Sequence, residues 1–301
     1  MKVLCAVDGS QFSEWAVDAI GALGRSVLSS VTLLHVADTR HLKAVGAPHV
    51  ATYRGAKAAL EKSGEEILRR AAGRLDIALS QSAKRPRTAV KTLLLQGSPA
   101  LTIVNRAAQE RSDIIVLGTR GLSDIKGFLL GSIARKVALL ANCPVLVVKQ
   151  PIKAISRTLL AVDESKYSRQ AAKFLRSGIL AENANIAIFT SAVTPITDLA
   201  ARHLSEEQIR KLEEPILEQA NALVAKMRDD FIKDGYAVTT EVQSDHVIDT
   251  ILRIVTFYQP NILVVGSRGL SGRERLQLGS VSETLLKYAT CSVLIVRSKR
   301  V

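Results

Sequence analysis

Val3-Leu-Cys-Ala-Val-Asp8-Gly-Ser10 returns 155 residues later as Thr158-Leu-Leu-Ala-Val-Asp163-Glu-Ser165. A short apolar run that stops at Asp and Ser is a buried strand followed by a turn. Three more pieces recur at an offset of 148: Gly118-Thr-Arg-Gly121 as Gly266-Ser-Arg-Gly269, Gly131-Ser132 as Gly279-Ser280, and Cys143-Pro-Val-Leu-Val-Val148 as Cys291-Ser-Val-Leu-Ile-Val296. Chance does not produce four matches in one order, so the chain repeats one unit twice. The change of offset puts seven extra residues in the first copy, between its second strand and its glycine loop. A length of 301 residues agrees with two domains, 1–150 and 151–301, meeting at a short linker over 150–156.

Within one copy the periodicity alternates. Strands are expected at Val3–Val7, Val31–Val36, Thr88–Leu95, Ile114–Leu117 and Val145–Val148. Between them, Ser13 is expected to cap a helix ending near Gly24, Lys57–Leu79 reads as a long amphipathic helix, and Pro99–Glu110 and Gly131–Leu140 as shorter ones. Continuous apolar strands separated by helices predict an α/β fold, a parallel sheet covered on both faces. The stretch from Asp38 to Gly55 lacks a clear period and reads as a connector or surface loop.

Composition bounds the function. Hydrophobic residues make up 47% of the chain and aromatics only 4%, so the cores are expected to be aliphatic. The net charge of +13 sits mostly in the first half, where 21 Lys and Arg face 11 Asp and Glu. Such a balance favours anionic partners. The densest run is Lys84, Arg85, Arg87 and Lys91, after a helix carrying Arg69, Arg70 and Arg74. No aromatics interleave with it, so it reads as a solvated face, and no specific nucleic-acid site is expected. Cys5, Cys143 and Cys291 form no CxxC and read as buried apolar residues. The five histidines show no ligand spacing, so no protein-held metal is expected. The run from Val3 to Val7 stops too early for a signal peptide, and Val137–Val148 is too short to span a bilayer; a cytoplasmic location is expected.

The informative motif is Gly-x-x-Gly, nine residues, then Gly-Ser, after an apolar strand and before a helix. It occurs as Gly118, Gly121, Gly131, Ser132 and again as Gly266, Gly269, Gly279, Ser280. Glycines at a strand end let backbone N–H groups approach an anion, and the opening turn of a helix suits phosphate. The same glycines could merely shape turns, and the serines merely cap helices. Two loops of identical spacing, each paired with an Asp after the first strand, favour a binding site. It is neither a Walker loop nor GxGxxG.

These motifs resemble the universal stress protein (UspA) family in tandem two-domain form, over essentially the whole chain; both copies carry its Gly-2x-Gly-9x-Gly-(Ser/Thr) signature. The resemblance implies two doubly wound five-stranded parallel sheets of order 3-2-1-4-5, adenine-nucleotide α-hydrolase-like, packed through their fifth strands as an internal pseudo-dimer and leaving room for a homodimer. It also implies ATP at the ends of strands one and four. Carried over by position, Ala6, Asp8 and Val36 would hold the adenine and ribose side in the first half. Gly118, Arg120, Gly121, Gly131, Ser132 and Ile133 would hold ribose and phosphates. The counterparts are Ala161, Asp163 and Ser191, then Gly266, Arg268, Gly269, Gly279, Ser280 and Val281. Mg²⁺ would sit on the phosphates, with no protein ligands. The second copy departs from the family in Asp245-His246-Val247, where the first has Gly97-Ser98-Pro99, in Ser292 for Pro144, and in Ser191; its loop adds Arg273 and Arg275.

Three functions follow: an ATP-binding stress or signalling module, a slow ATP hydrolase, or a basic-face nucleic-acid binder. Hydrolysis needs a group that positions water. Arg120 or Arg268 could clamp a phosphate, but no carboxylate or Gln in the motif is poised at its end, and no catalytic residue is expected. Two nucleotides per chain are expected, one in each half.

Overall fold

The computed structural model describes residues 1–23, 28–40, 50–80, 88–121, 129–193, 203–269 and 278–297, with residues 50–52 described in backbone only. In the first half the elements run β1 (Lys2–Ala6), α1 (Gln11–Ala22), β2 (Ser30–Ala37), α2 (Val50–Ser80), β3 (Ala89–Gln96), α3 (Pro99–Gln109), β4 (Ile114–Gly118), α4 (Ser132–Leu140) and β5 (Val145–Val148). The second half continues with β6 (Arg157–Ala161), α5 (Lys166–Leu175), β7 (Asn185–Ser191), α6 (Glu206–Lys233), β8 (Ala237–Gln243), α7 (Val247–Tyr258), β9 (Ile262–Gly266), α8 (Ser280–Tyr288) and β10 (Ser292–Val296).

All ten strands form one sheet, in the order β3-β2-β1-β4-β5-β10-β9-β6-β7-β8. Each half is parallel throughout and has the expected 3-2-1-4-5 order. The seam is antiparallel: Val147, Leu146 and Val145 of β5 face Val293, Leu294 and Ile295 of β10. These six side chains are at most 1% exposed.

The period of two along each strand sorts side chains onto two faces. Val3, Cys5, Ile114, Val116, Leu146, Leu160 and Leu294 pack on one side against α1, α2, α5 and α6. Leu4, Ile115, Leu117, Val145, Val147, Leu159 and Leu263 pack on the other against α3, α4, α7 and α8. Each core therefore runs through both halves. Only β3 and β8, at the two edges, are largely exposed, and there the sequence turns to Lys, Thr, Glu and Gln.

Two sequence expectations shift. Ser10, not Ser13, caps α1: its hydroxyl accepts from the Ser13 backbone N–H at 3.2 Å, and the helix ends at Ala22 with Leu23 as its C-cap. The long second helix begins at Val50, inside the stretch read as a connector, while 41–49 lies outside the described residues. Strand pairing also locates the seven extra residues. Lys2 faces Ser30 and Arg157 faces Asn185, at the offset of 155. Ser30 faces Ala89 and Asn185 faces Ala237, by which point the offset is 148. The whole insertion therefore lies in the β2–β3 crossover. The three cysteines are buried, and burial pushes the Cys5 thiol far above its usual range.

Candidate functional site

A doubly wound sheet leaves a crevice where its strand order reverses, at the carboxyl ends of the two strands involved. In the first half these are β1 and β4. The cleft there is lined by Ala6, Asp8 and Val36 from the ends of β1 and β2, by Gly118, Arg120 and Gly121 after β4, and by Ile133 in the first turn of α4. The Asp8 carboxylate accepts the Ser10 N–H at 3.0 Å, and the Ser10 hydroxyl donates to the Arg120 carbonyl at 3.3 Å, tying the aspartate turn to the glycine loop. Arg120 lies over the Phe12 ring at 4.7 Å. His35, which the sequence reading did not weigh as a site residue, also lines the cleft and donates through Nδ1 to the Val7 carbonyl at 2.8 Å. Its counterpart Thr190 donates to Val162 at 2.8 Å. The recurrence of that bond at offset 155, in chemically different residues, is a signal that only the fold makes visible.

The cleft reaches the start of α4 at Ile133 and Ala134, while Gly131 and Ser132 are not among the residues that line it. Gly131 is the N-cap and makes no side-chain capping bond, unlike Ser10 at α1. The first N–H groups of a helix have no partner within it. Capped by glycine, α4 takes no side-chain bond from its N-cap residue, and such a helix start suits an anion. The loop before α4 is braced: Thr119 N–H donates to Val148, Gly131 N–H donates to Thr119, both at 2.8 Å, and the Thr119 hydroxyl donates to Leu129 at 3.1 Å. Ser132 is exposed at the first helical position. Residues 122–128 lie outside the described residues.

The second half repeats this frame. Ser267 N–H donates to Val296 and Gly279 N–H to Ser267, both at 2.8 Å, and Gly279 caps α8 without a side chain. The Ser165 hydroxyl points to the Arg268 carbonyl at 3.5 Å. Ala161 and Ser191 end β6 and β7, Ser280 opens α8, and Val281 is half-buried beside it. The Ser191 hydroxyl donates to the Asp245 carbonyl at 3.2 Å, joining two of the residues that depart from the first copy. Asp163 accepts the Ser165 N–H at 3.1 Å and the Ser168 hydroxyl at 2.6 Å. A Cβ on Gly269 would come within 2.8 Å of its Oδ2. Arg268 donates to the Tyr167 hydroxyl at 3.0 Å. Arg273 and Arg275 fall outside the described residues.

The first glycine of each motif has a second explanation. A Cβ on Gly118 would lie 2.6 Å from the Phe12 carbonyl carbon, and one on Gly266 would lie 2.9 Å from that of Tyr167. These glycines let α1 and α5 press on the ends of β4 and β9. Among the described residues there is no cluster of three metal-ligating side chains, and no helix is long and apolar enough to cross a membrane. Two cations of the basic face are paired: Lys91 meets Glu110 and Arg74 meets Asp18, both at 2.7 Å. Lys84, Arg85 and Arg87 lie outside the described residues.

Similarity to known proteins agrees with this geometry. The model of the universal stress protein family matches residues 1–149 and again 155–297. Universal stress protein YxiE of Bacillus subtilis is 31% identical over 153 residues, which are 49% of this chain and 98% of that protein. A universal stress protein of Archaeoglobus fulgidus, 19% identical, superposes with a TM-score of 0.68 over 99% of this chain and 96% of its own. Another member, solved in complex with cAMP, is 25% identical over 49% of this chain and 95% of its own, with a TM-score of 0.33. The chain belongs to the universal stress protein family, with two matches to its domain in tandem.

Proposed function

We propose that this protein binds ATP at the crevice of its first half and, through its repeat, at the matching crevice of its second, acting as a nucleotide-dependent stress or signalling module. The observation that carries the reading is the glycine-capped start of α4, facing a cleft that gathers Ala6, Asp8, Val36, Gly118, Arg120, Gly121 and Ile133. The helix end and its glycines suit phosphates. Asp8 suits sugar hydroxyls as an acceptor, and the end of β2 suits the base. On this reading the phosphates bring Mg²⁺ with them, and the metal supplies charge neutralisation there.

The proposed units are 1–150 and 151–301, paired through β5 and β10 as an internal pseudo-dimer, and an ATP-dependent role belongs with the cytoplasmic nucleotide pool. Turnover is expected far below the usual enzyme range of about 1–10³ s⁻¹. Among the described residues lining the cleft Asp8 is the one carboxylate, and it accepts the Ser10 N–H on the sugar side. The pairing of Lys91 with Glu110 and of Arg74 with Asp18 speaks against a nucleic-acid surface built on these cations.

Mass spectrometry of nucleotide released from the purified protein, followed by calorimetry with ATP and Mg²⁺, tests this. Binding is expected, with Gly131→Val abolishing the first-half site and Gly279→Val the second. Absence of adenine nucleotide binding in the unaltered protein would overturn the reading.

A further inference from the structure

The two phosphate helices are each held at the far end by the other half. Arg297, the residue after β10, donates through Nη1 to the carbonyls of Leu139 at 3.2 Å and Ala141 at 2.6 Å, and through Nη2 to Ala138. These are the carbonyls that end α4. Lys149, the residue after β5, donates through Nζ to the Ala289 carbonyl at 2.6 Å, the C-cap of α8. Lys149 and Arg297 occupy equivalent positions at the offset of 148, as do Ala141 and Ala289. The exchange is therefore reciprocal.

The last carbonyls of a helix lack partners within it, and a cation there satisfies them and complements the negative end of the dipole. The same two residues also stand next to the loops that present the opposite ends. Val148, before Lys149, accepts from Thr119, whose carbonyl accepts from the N-cap Gly131. Val296, before Arg297, accepts from Ser267, whose carbonyl accepts from Gly279. One step of chain thus links the N-terminal support of each helix to the C-terminal support of the other. Arg135 of α4 meets Glu283 of α8 at 2.6 Å between them. These two positions are equivalent as well, so a residue on the pseudo-twofold meets its own counterpart with opposite charge.

We propose that Arg297 and Lys149 are positioning residues for the nucleotide site of the opposite half, so that the second half sets the affinity of the first through α4 and the first sets that of the second through α8. The inference rests on the ATP-binding reading for its ligand. Its mechanical part does not: a nine-residue helix is about 13 Å long, and a clamp on its last turn restrains the tilt of its first.

The test uses the full chain. Hydrogen exchange is compared in the unaltered protein, Arg297→Gln, Arg297→Lys and Lys149→Gln, and ATP affinity of the first-half site is measured in the Gly279→Val chain. Arg297→Gln is expected to speed exchange at the start of α4, residues 132–134, and to leave the start of α8 unchanged. Lys149→Gln gives the mirror pattern, and Arg297→Lys restores the first. Affinity at the first-half site is expected to fall about fivefold with Arg297→Gln. Faster exchange confined to residues 138–141, or equal loosening of both helices, would overturn the proposal, as would ATP binding indifferent to Arg297→Gln. If the crossed exchange pattern appears in a chain that binds no ATP, the clamp stands and the nucleotide reading falls.

Discussion

Asp8 and Asp163 occupy the same place in two copies of one fold, yet their neighbouring helices treat them differently. In the first half the hydroxyl of Ser13 turns back to the Ser10 carbonyl at 2.9 Å. In the second, its counterpart Ser168 donates to the Asp163 carboxylate at 2.6 Å and accepts the Asp163 N–H at 2.9 Å. The arginines diverge in the same sense: Arg120 rests on the face of Phe12, while Arg268 is also hydrogen-bonded to Tyr167. One hydroxyl on the ring and one rotated serine tie Arg268 and Asp163 to the helix that follows β6. A repeat preserves the backbone of a site more faithfully than the hydrogen bonds its side chains make.

The largest expected effect tests what the halves share. Leu146 and Leu294 face each other at the seam, each 1% exposed, in cores that run through both halves. Leu146→Ala should cost about 2–5 kcal/mol and lower the stability of both halves in one denaturation transition. Two separated transitions would show the halves to be independent. Next comes the packing under each glycine loop. Gly118→Val and Gly266→Val should each cost about 1–3 kcal/mol through overpacking, more at Gly118, where the added Cβ meets backbone at 2.6 Å against 2.9 Å. Urea denaturation of the two variants reads this directly, and an equal or reversed ranking would break the comparison.

A smaller effect distinguishes the two cross-half clamps by pH. Burial pushes the Lys149 ammonium down to about 8, partly offset by the neighbouring Cys291, whose thiol burial raises to about 11. The folded state therefore releases this proton before the unfolded chain does. Stability from this group rises with pH between about 8 and 10, by on the order of 1 kcal/mol for a side chain that remains partly solvated. Lys149→Met should flatten that rise relative to the unaltered protein, whereas Arg297→Met, removing a group that does not titrate there, should leave its slope intact. The smallest effect concerns the aspartates themselves. Ser168→Ala, which removes one hydrogen bond on the Asp163 carboxylate and leaves that of the Ser165 N–H, should tighten ATP binding at the second-half site by about threefold, the net worth of one modest hydrogen bond. Calorimetry that found the second-half site unchanged or weakened by Ser168→Ala would reverse the reading.

Much of this was legible in the residues. The apolar runs marked the strands to within a residue or two, because a strand buried on both faces is written as a continuous hydrophobic segment. Asp8 and Gly118, singled out by their recurrence, both line the cleft at the ends of β1 and β4. The start of α1 was misplaced because Ser10 and Ser13 are both good capping residues, and the choice between them depends on where the chain leaves β1. The packing role of Gly118 and Gly266 was not legible, because a close approach leaves the same mark whether the neighbour is a phosphate or a helix backbone.

By itself, then, the sequence determined the repeat, the alternation of strand and helix, and the positions where backbone could meet an anion, since all of these depend on local pattern. Only the tertiary structure decided that Ser168 reaches the Asp163 carboxylate and which cation holds which helix. Lys149 and Arg297 are ordinary basic residues after a strand until the antiparallel seam of β5 and β10 carries each across to the open end of the other half's helix. Hydrogen bonds of that kind join residues 140 and more apart, and no local period records them.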